Sequence, residues 1–320
     1  MEIIPNPFVN RGTVTDPEHF FGRTAEIATI LEYLASLQSA SVVGERCIGK
    51  SSLLTHLEQL GATQIQKPGY RFVYLDLSNG RLHTAKGFFQ HVLQEAGFEP
   101  EAVNDIIRED APRGINLISF TDLLAEQKRA GQPIVLCLDE FENVFKHERE
   151  FSEDFFDHLR SELNRRSFAL VTASKQSLQE LCMEGRLSSP FFNVFTELAL
   201  GGLTEIEVEQ FIEAYQKVVA FTDSKREFLV QRLESLAGHP LKLQILCDWI
   251  LRNRRFGYDE ERLTDEIGRE YSRFFPSFNQ RLWCSSKKFF TLSNIGKAFG
   301  ILKDARELAT GKGDDDEKSE

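Results

Sequence analysis

The chain has 320 residues, of which 41% are hydrophobic and 27% charged, enough for one large or two ordinary domains with buried cores. A formal net charge of −11 argues against a general affinity for nucleic acid or for an anionic membrane. Five scattered cysteines without a C-x-x-C pair, no signal-peptide pattern and no apolar run of ~20 residues argue against a disulfide scaffold or a membrane protein, so we expect a cytoplasmic protein.

The first predicted elements are an arm, a helix and a strand. Residues 1–20 contain three prolines and predict an irregular N-terminal arm that lies across a domain surface. Apolar residues at helical spacing from Ile27 to Leu34 predict a helix, with Thr24 as its N-cap. A short apolar strand at 40–43 is expected to lead through a glycine-bounded loop into a second helix, which extends to about residue 60.

That loop matches G-x-x-x-x-G-K-[ST], the Walker A pattern of phosphate-binding loops. Its glycines let backbone N–H groups converge on a phosphate, and the helix N-terminus adds about half a positive charge. Lys50 is expected to reach the β- and γ-phosphates, and the Ser51 hydroxyl to bind Mg²⁺. The alternative is a glycine-rich turn with an exposed lysine. The predicted nucleotide-binding residues of this loop are Gly44, Glu45, Arg46, Cys47, Ile48, Gly49, Lys50, Ser51 and Ser52.

Strand and helix patterns then alternate along the chain. This alternation predicts an α/β fold, a doubly wound parallel sheet in an αβα sandwich, whose ligands bind at the carboxyl ends of the strands. The predicted strands are 70–77, the apolar run before Asp139, 168–174 and 196–200, and the predicted helices are 82–96, 100–108, 117–130 and 151–165.

Two acids, Asp139 and Glu140, end the most apolar strand, in the manner of a Walker B segment. An aspartate there can hold Mg²⁺, and an adjacent glutamate can polarise an attacking water as general base. The alternative is an ordinary acidic strand end. Glu142 is predicted to be a solvated helix or loop residue.

Three further residues are candidates on weaker grounds. Ser174, or alternatively Thr172, could contact the γ-phosphate from the end of its strand. Arg186 lies between that strand and the predicted helical domain, where an arginine could reach the nucleotide of a neighbouring molecule. The alternative for Arg186 is a solvated surface arginine. The alternative for Ser174 and Thr172 is an ordinary strand-end hydroxyl without a function, which is as common as a functional one.

The last third of the chain is helical in pattern. Capping boxes at 204–207 and 224–227 open helices, Gly238 ends the second, and Pro240 begins a third. Apolar faces in the third helix and in a fourth that ends near Phe274 predict a small helical lid domain at 203–275. Residues 276–310 are expected to form a short helical extension or a partial winged helix, and 311–320 a disordered acidic tail.

Taken together, these motifs resemble the STAND ATPases, an AAA+-related branch of the P-loop proteins and cousins of the origin-recognition and archaeal P-loop ATPases. The resemblance covers roughly residues 6–275 and rests on the order and spacing of the segments. These segments are Phe21-Gly-Arg-Thr-Ala-Glu26, Gly44–Ser51, Leu138-Asp-Glu-Phe-Glu142, Ser174 and Gly238-His-Pro240.

The resemblance implies further site residues. Phe21, Gly22 and Arg23 would lie near the adenine and ribose, and Ser174 would act as the first nucleotide sensor. His239 or Pro240 would lie close to the phosphates and couple the lid to the nucleotide. Relatives usually continue into a winged helix and an effector domain, whereas only about 45 residues follow the lid here.

The function that these observations predict is an ATP-binding, Mg²⁺-dependent regulatory ATPase with slow turnover, in which Lys50, Glu140 and Arg186 are catalytic and Ser51 and Asp139 hold the metal. Its expected partners are ATP and ADP, a second copy of the chain and an unknown protein. One alternative is a DNA-associated scaffold or loader, with basic residues at 252–255 and 287–288 facing the DNA. Another is a catalytically silent nucleotide-binding module.

Overall fold

A computed structural model describes residues 6–99, 101, 103–104, 117–187, 190–215, 238–257 and 260–275. The chain divides into two compact units. The larger contains the described residues from Asn10 to Ala214 together with 238–241, and the smaller contains 6–9, Tyr215, 242–257 and 260–275. The boundary predicted between a core and a lid at residue 203 stays a prediction.

The larger unit is built on a five-stranded parallel sheet with strand order β2-β3-β4-β1-β5. Every strand predicted from the sequence is present within one or two residues of its predicted bounds. The observed strands are β1 (Ser39–Val43), β2 (Arg71–Asp76), β3 (Ile134–Asp139), β4 (Ala169–Ser174) and β5 (Phe195–Ala199).

Helices cover both faces of the sheet, so the doubly wound α/β fold is confirmed. In the larger unit these are α1 (Thr24–Leu34), α2 (Lys50–Gln64), α3 (Ala85–Glu95), α4 (Leu117–Arg129), α5 (Glu142–Phe145), α6 (Glu153–Asn164), α7 (Leu178–Glu184) and α8 (Glu205–Ala214). Short 3-10 turns lie at Pro17–His19, Gly80–Leu82 and Phe191–Val194.

The sheet separates two hydrophobic cores. One lies under α1 and α2 and contains alternate strand residues such as Val42 and Val171. The other lies under α3, α4, α6 and α7 and is rich in phenylalanine rings that contact one another, among them Phe89, Phe120 and Phe156. Because both faces of β3 and β4 are covered, these strands are buried along their whole length, as their continuous apolar sequences predict.

One predicted helix start differs from the structure. Thr24 is the first residue of α1 rather than its N-cap, and the N-cap is Arg23, whose φ of 64° lies in the left-handed region. The prediction was wrong because Arg23 is held by other contacts, described below. The predicted helix 100–108, the second capping box at 224–227 and the chain beyond residue 275 fall outside the described residues.

The described part of the smaller unit contains α9 (Pro240–Phe256), apart from its first two residues, and α10 (Glu260–Phe274). Asn6 donates to the buried Asp248 at 2.7 Å, and Phe8 packs edge-on against Tyr215. The predicted start of α9 at Pro240 is confirmed, with Pro240 itself in the larger unit. Across the described residues, the search for membrane-spanning helices finds none of sufficient length and apolarity.

Gly87, in the first turn of α3, is a position where packing overrides helix propensity. A Cβ there would lie 1.9 Å from the carbonyl oxygen of Arg81, which is backbone and cannot turn away. The Thr84 side chain caps the same turn by accepting from Gly87 N at 3.1 Å. This turn therefore requires glycine.

We predict that Gly87→Ala lowers the free energy of unfolding by about 1–3 kcal/mol through overpacking, although alanine is favoured over glycine in a helix by about 1 kcal/mol. Urea denaturation measures the difference. Gly80→Ala is the matched control, because a Cβ at Gly80 meets no atom within 4 Å, and its stability should stay near that of the wild type. Equal stability of the two variants would contradict the packing at Gly87.

Candidate functional site

The glycine loop connects β1 to α2 at the carboxyl edge of the sheet. Gly49 is the N-cap of α2 with φ 105°, so no capping side chain competes for the N–H groups of the first turn. A Cβ on Gly44 would lie 2.8 Å from the Leu200 carbonyl oxygen, so the loop passes too close to the end of β5 for a side chain there. The loop backbone can therefore curl around a small anionic group.

Lys50 folds back onto this loop. Its ammonium group donates to the carbonyl oxygens of Gly44 at 2.7 Å and Glu45 at 2.9 Å. Burial lowers the pKa of Lys50, and the negative charges of Glu140 and Asp139 act in the opposite direction. The lysine charge is therefore held inside the loop, opposite the acids that end β3.

Asp139 is 3% exposed, and each of its carboxylate oxygens accepts a hydrogen bond. Its Oδ1 accepts from the backbone N–H of Glu140 at 3.0 Å and its Oδ2 from the Tyr74 hydroxyl at 3.0 Å, and the Ser51 side chain lies near the same carboxylate. Burial raises the pKa of Asp139, and its interactions with the Ser51 and Tyr74 side chains and with the Glu140 N–H counteract that rise. The structure thus brings together Ser51 and Asp139, the two residues predicted to hold Mg²⁺.

Glu140 and Glu142 share one cation. Lys175 Nζ lies 3.3 Å from Glu140 Oε2 and 3.3 Å from Glu142 Oε1. Although burial acts to lower the pKa of Lys175, the two carboxylates raise it above its ordinary value. The prediction that Glu142 is solvated was wrong: its side chain is only 11% exposed, because the short helix α5 turns it back towards Lys175.

The backbone at Glu140 is also unusual. Its φ of 50° lies in the left-handed region, which is uncommon for a residue other than glycine. The N–H of the next residue, Phe141, donates to the carbonyl oxygen of Ala173 on β4 at 2.9 Å and fixes this turn. Glu140 is thereby directed to the carboxyl edge of the sheet with about a third of its side chain exposed.

The weaker candidates differ in position. Ser174 lies beside the glycine loop, since its carbonyl oxygen accepts from Gly44 N at 3.3 Å, but its hydroxyl donates to Gln176 O at 2.6 Å. Thr172 is fully buried within β4, two residues from the strand end. Arg186 is exposed and follows the end of α7, and within the described part of the chain no hydrogen bond or ion pair joins it to Asp139 or Glu140.

Arg23 is 3% exposed and joins several backbone segments. Its guanidinium donates to Ile48 O in the glycine loop at 3.1 Å and to Gly201 O after β5 at 2.7 Å, and it pairs with Glu26 at 3.1 Å. Its backbone N–H donates to the Glu207 carboxylate. The side chain therefore binds protein backbone, which explains the left-handed turn before α1.

Phe21 and Gly22, which precede Arg23 in the Phe21–Glu26 box, have apolar or steric roles. Phe21 packs edge-on against Phe211 of α8, with ring centroids 5.5 Å apart. A Cβ on Gly22 would lie 2.7 Å from Glu207 Oε1, so the box fits closely against the start of α8. Glu207 also completes the predicted capping box by accepting from Thr204 N at 2.7 Å, which confirms that motif.

The Gly238-His239-Pro240 segment reaches the glycine loop. His239 is buried, with Nε2 3.2 Å from the carbonyl oxygen of Arg46. Gly238 has φ 62°, and its carbonyl oxygen accepts from Leu203 N at 2.8 Å. This segment is thus in direct contact with the loop, although His239 and Arg46 are 193 residues apart in sequence.

These residues fit a nucleotide phosphate with Mg²⁺. The loop offers backbone N–H groups and an ammonium group to an anion, while Ser51 and Asp139 offer the hydroxyl and carboxylate oxygens that Mg²⁺ prefers. No cluster of three or more metal-binding side chains occurs in the described part of the chain.

Sequence reasoning missed Tyr74 and Lys175. The alternating pattern of residues 70–77 places Tyr74 on a strand, but only the sheet order shows that β2 lies beside β3. Lys175 follows Ser174 directly, and its position after a buried strand was a usable signal.

Comparisons with known proteins give one family and one fold. The sequence model of Novel STAND NTPase 1 matches residues 11–253, more than half of the chain. A Walker-type ATPase of Pyrococcus abyssi has a similar structure, with a TM-score of 0.57 and 15% identity over 84% of this chain and 80% of that one. The comparison with curated proteins gives no match.

Two Aeropyrum pernix structures share the fold. The ORC2 protein, in ADPNP-ADP complexes, has a TM-score of 0.56 and 15% identity over 82% of this chain and 71% of its own. The ORC1 protein, in complex with DNA, has a TM-score of 0.51 and 16% identity over 80% of this chain and 67% of its own. At such low identity the likeness concerns the fold alone.

We predict that Arg23→Ala destabilises the protein by roughly 1–3 kcal/mol for each buried carbonyl that loses its donor. Urea denaturation tests this, with Arg186→Ala as the control. Since Arg186 is an exposed arginine, its removal should change stability by no more than about 0.5 kcal/mol. A loss for Arg23→Ala as small as for the control would contradict the contacts assigned to its guanidinium.

Proposed function

The chain belongs to the novel STAND NTPase family, and we propose that it is a nucleotide-gated switch that binds ATP with Mg²⁺ and hydrolyses it slowly. The observation that carries this proposal is the meeting of Lys50 and Ser51 with Asp139 and Glu140 at one edge of the sheet. Phosphate-binding and metal-binding groups from distant parts of the sequence converge there, as phosphoryl transfer requires.

Each group has a proposed role. The glycine loop binds the phosphates, and Lys50 exchanges its carbonyl partners in the loop for phosphate oxygens. Ser51 and Asp139 hold Mg²⁺, which neutralises charge on the phosphates when bound. Glu140 accepts a proton from the attacking water. Glu140 must part from Lys175 to do so fully, and this accords with slow turnover.

The switch would act through His239. Its contact with the Arg46 carbonyl joins the glycine loop to the start of α9, so a rearrangement of the loop changes a contact at that helix. Because α9 continues from the larger unit into the smaller, the covalent chain provides a route between them. The proposed switch also includes the predicted helical lid, Phe21–Arg23 near the base and Ser174 as sensor, and nucleotide binding would require the Ser174 hydroxyl to leave Gln176 O.

The remaining alternatives have less support. The basic stretch that begins at Arg252 was proposed to face DNA, but the Arg252 side chain pairs with the buried Asp248 at 2.7 Å and lies over the Trp249 ring. That engagement favours a structural role. The acids at the end of β3 favour hydrolysis over silent nucleotide binding. Arg186, being exposed, remains available to act on the nucleotide of a second copy.

We predict that Lys50→Ala abolishes ATP binding, because the loop loses its only side-chain ammonium group. Glu140→Gln should keep binding but lose turnover, because the amide cannot take a proton; a loss of about 10²-fold or more is expected. Calorimetry and single-turnover hydrolysis measure the two effects. Lys128→Ala, at an exposed position on α4, is the control. Unchanged ATP affinity in Lys50→Ala would refute the assignment of the site.

A further inference from the structure

Tyr74 contacts the acid at the centre of the proposed site. It lies on β2, the strand next to β3, which ends in Asp139. Its hydroxyl donates to Asp139 Oδ2 at 3.0 Å. Tyr74 and Asp139 face the same side of the sheet, towards α2, since they occupy alternate positions on paired strands. The hydroxyl thus reaches the carboxylate from the side opposite the glycine loop.

Both oxygens of the carboxylate are engaged by protein donors. A carboxylate offers about four acceptor positions. One is taken by the Glu140 N–H and one by the Tyr74 hydroxyl, which leaves positions for a metal ion or its water. The donors from Glu140 and Tyr74 hold different oxygens, so the plane of the carboxylate is fixed and cannot rotate freely.

The ring and the hydroxyl of Tyr74 have different partners. The ring of Tyr74 packs at the margin of the core beneath α2, a role that phenylalanine would fill equally well. Its hydroxyl donates to the Asp139 side chain rather than to backbone. By contrast, Tyr70 donates to the carbonyl oxygens of Leu34 and Ala35 and so joins β2 to the end of α1.

We propose that Tyr74 is a positioning residue for Mg²⁺, which holds Asp139 in the orientation that receives the metal or a water bound to it. The inference rests on the proposed function, because it assigns a role within that nucleotide site. Groups that orient metal ligands in this way typically change metal affinity by about 10–100-fold when removed. Tyr74 touches neither nucleotide nor reacting atoms in this role, so it acts through Asp139.

The experiment measures ADP binding by calorimetry to the full chain, in EDTA and across a series of Mg²⁺ concentrations. In Tyr74→Phe, the affinity for ADP in EDTA should equal that of the wild type. The Mg²⁺ concentration that gives half of the Mg²⁺-dependent increase in ADP affinity should rise about 10-fold. Hydrolysis is not part of this measurement, so the result does not depend on turnover.

Two variants control for a merely structural effect. Tyr70→Phe removes a hydroxyl of the same kind from the same region, and it should leave the Mg²⁺ dependence unchanged even if it lowers stability. In the Asp139→Asn background, Tyr74→Phe should add no further loss, because its effect passes through that carboxylate. Thermal unfolding of each variant confirms that it is folded under the conditions of the titration.

The outcomes separate the inference from the proposed function. If the wild type does not bind ADP, both fail. If the wild type shows Mg²⁺-dependent tightening and Tyr74→Phe shows the same dependence, the inference alone is overturned. Equal weakening of ADP binding in EDTA and in Mg²⁺ would also overturn it, because the hydroxyl would then act on the nucleotide pocket and not on the metal.

Discussion

The burial of charge at the carboxyl edge of the sheet is the constraint on which the site depends. Asp139 is nearly inaccessible, and Lys50 is buried nearby, so each needs compensating partners. Asp139 obtains them from Ser51, Tyr74 and its own chain, and Lys50 from the carbonyls of its loop. Every residue of the cluster must therefore be held in place by the fold, which makes the edge of the sheet a preorganised polar site.

The sheet order explains how these residues meet. β1 and β3 are not neighbours, because β4 lies between them. The chain passes from β1 to β2 at the opposite edge of the sheet, so α2 crosses β4 and β3, and Ser51 in its first turn stays at the carboxyl edge with Asp139. The same path places β2 beside β3 and brings Tyr74 to the other side of the carboxylate. One crossover thus connects the strand that carries Tyr74 to the helix that carries Ser51.

Much of the fold and of the candidate site could be predicted from the sequence, because the strands, the glycine loop and the two acids after β3 each have a recognisable local sequence pattern. Alternating or continuous apolar stretches predicted the bounds of the strands to within two residues. The resemblance to STAND ATPases is confirmed by the family match. The roles of Glu142, Arg23 and Tyr74 depend instead on which segments become neighbours. Arg23 was predicted near adenine, and its guanidinium in the structure binds backbone carbonyls; no local pattern distinguishes these two environments.

Hydrogen–deuterium exchange of the full chain with and without Mg-ATP tests the central claim most directly. If phosphates bind where the buried charges converge, slower exchange should appear in peptides that cover residues 44–56 and 139–142. It should also appear at 238–241, since His239 contacts the loop. Nucleotide-dependent protection confined to other segments, or no protection at saturating Mg-ATP, would contradict the account.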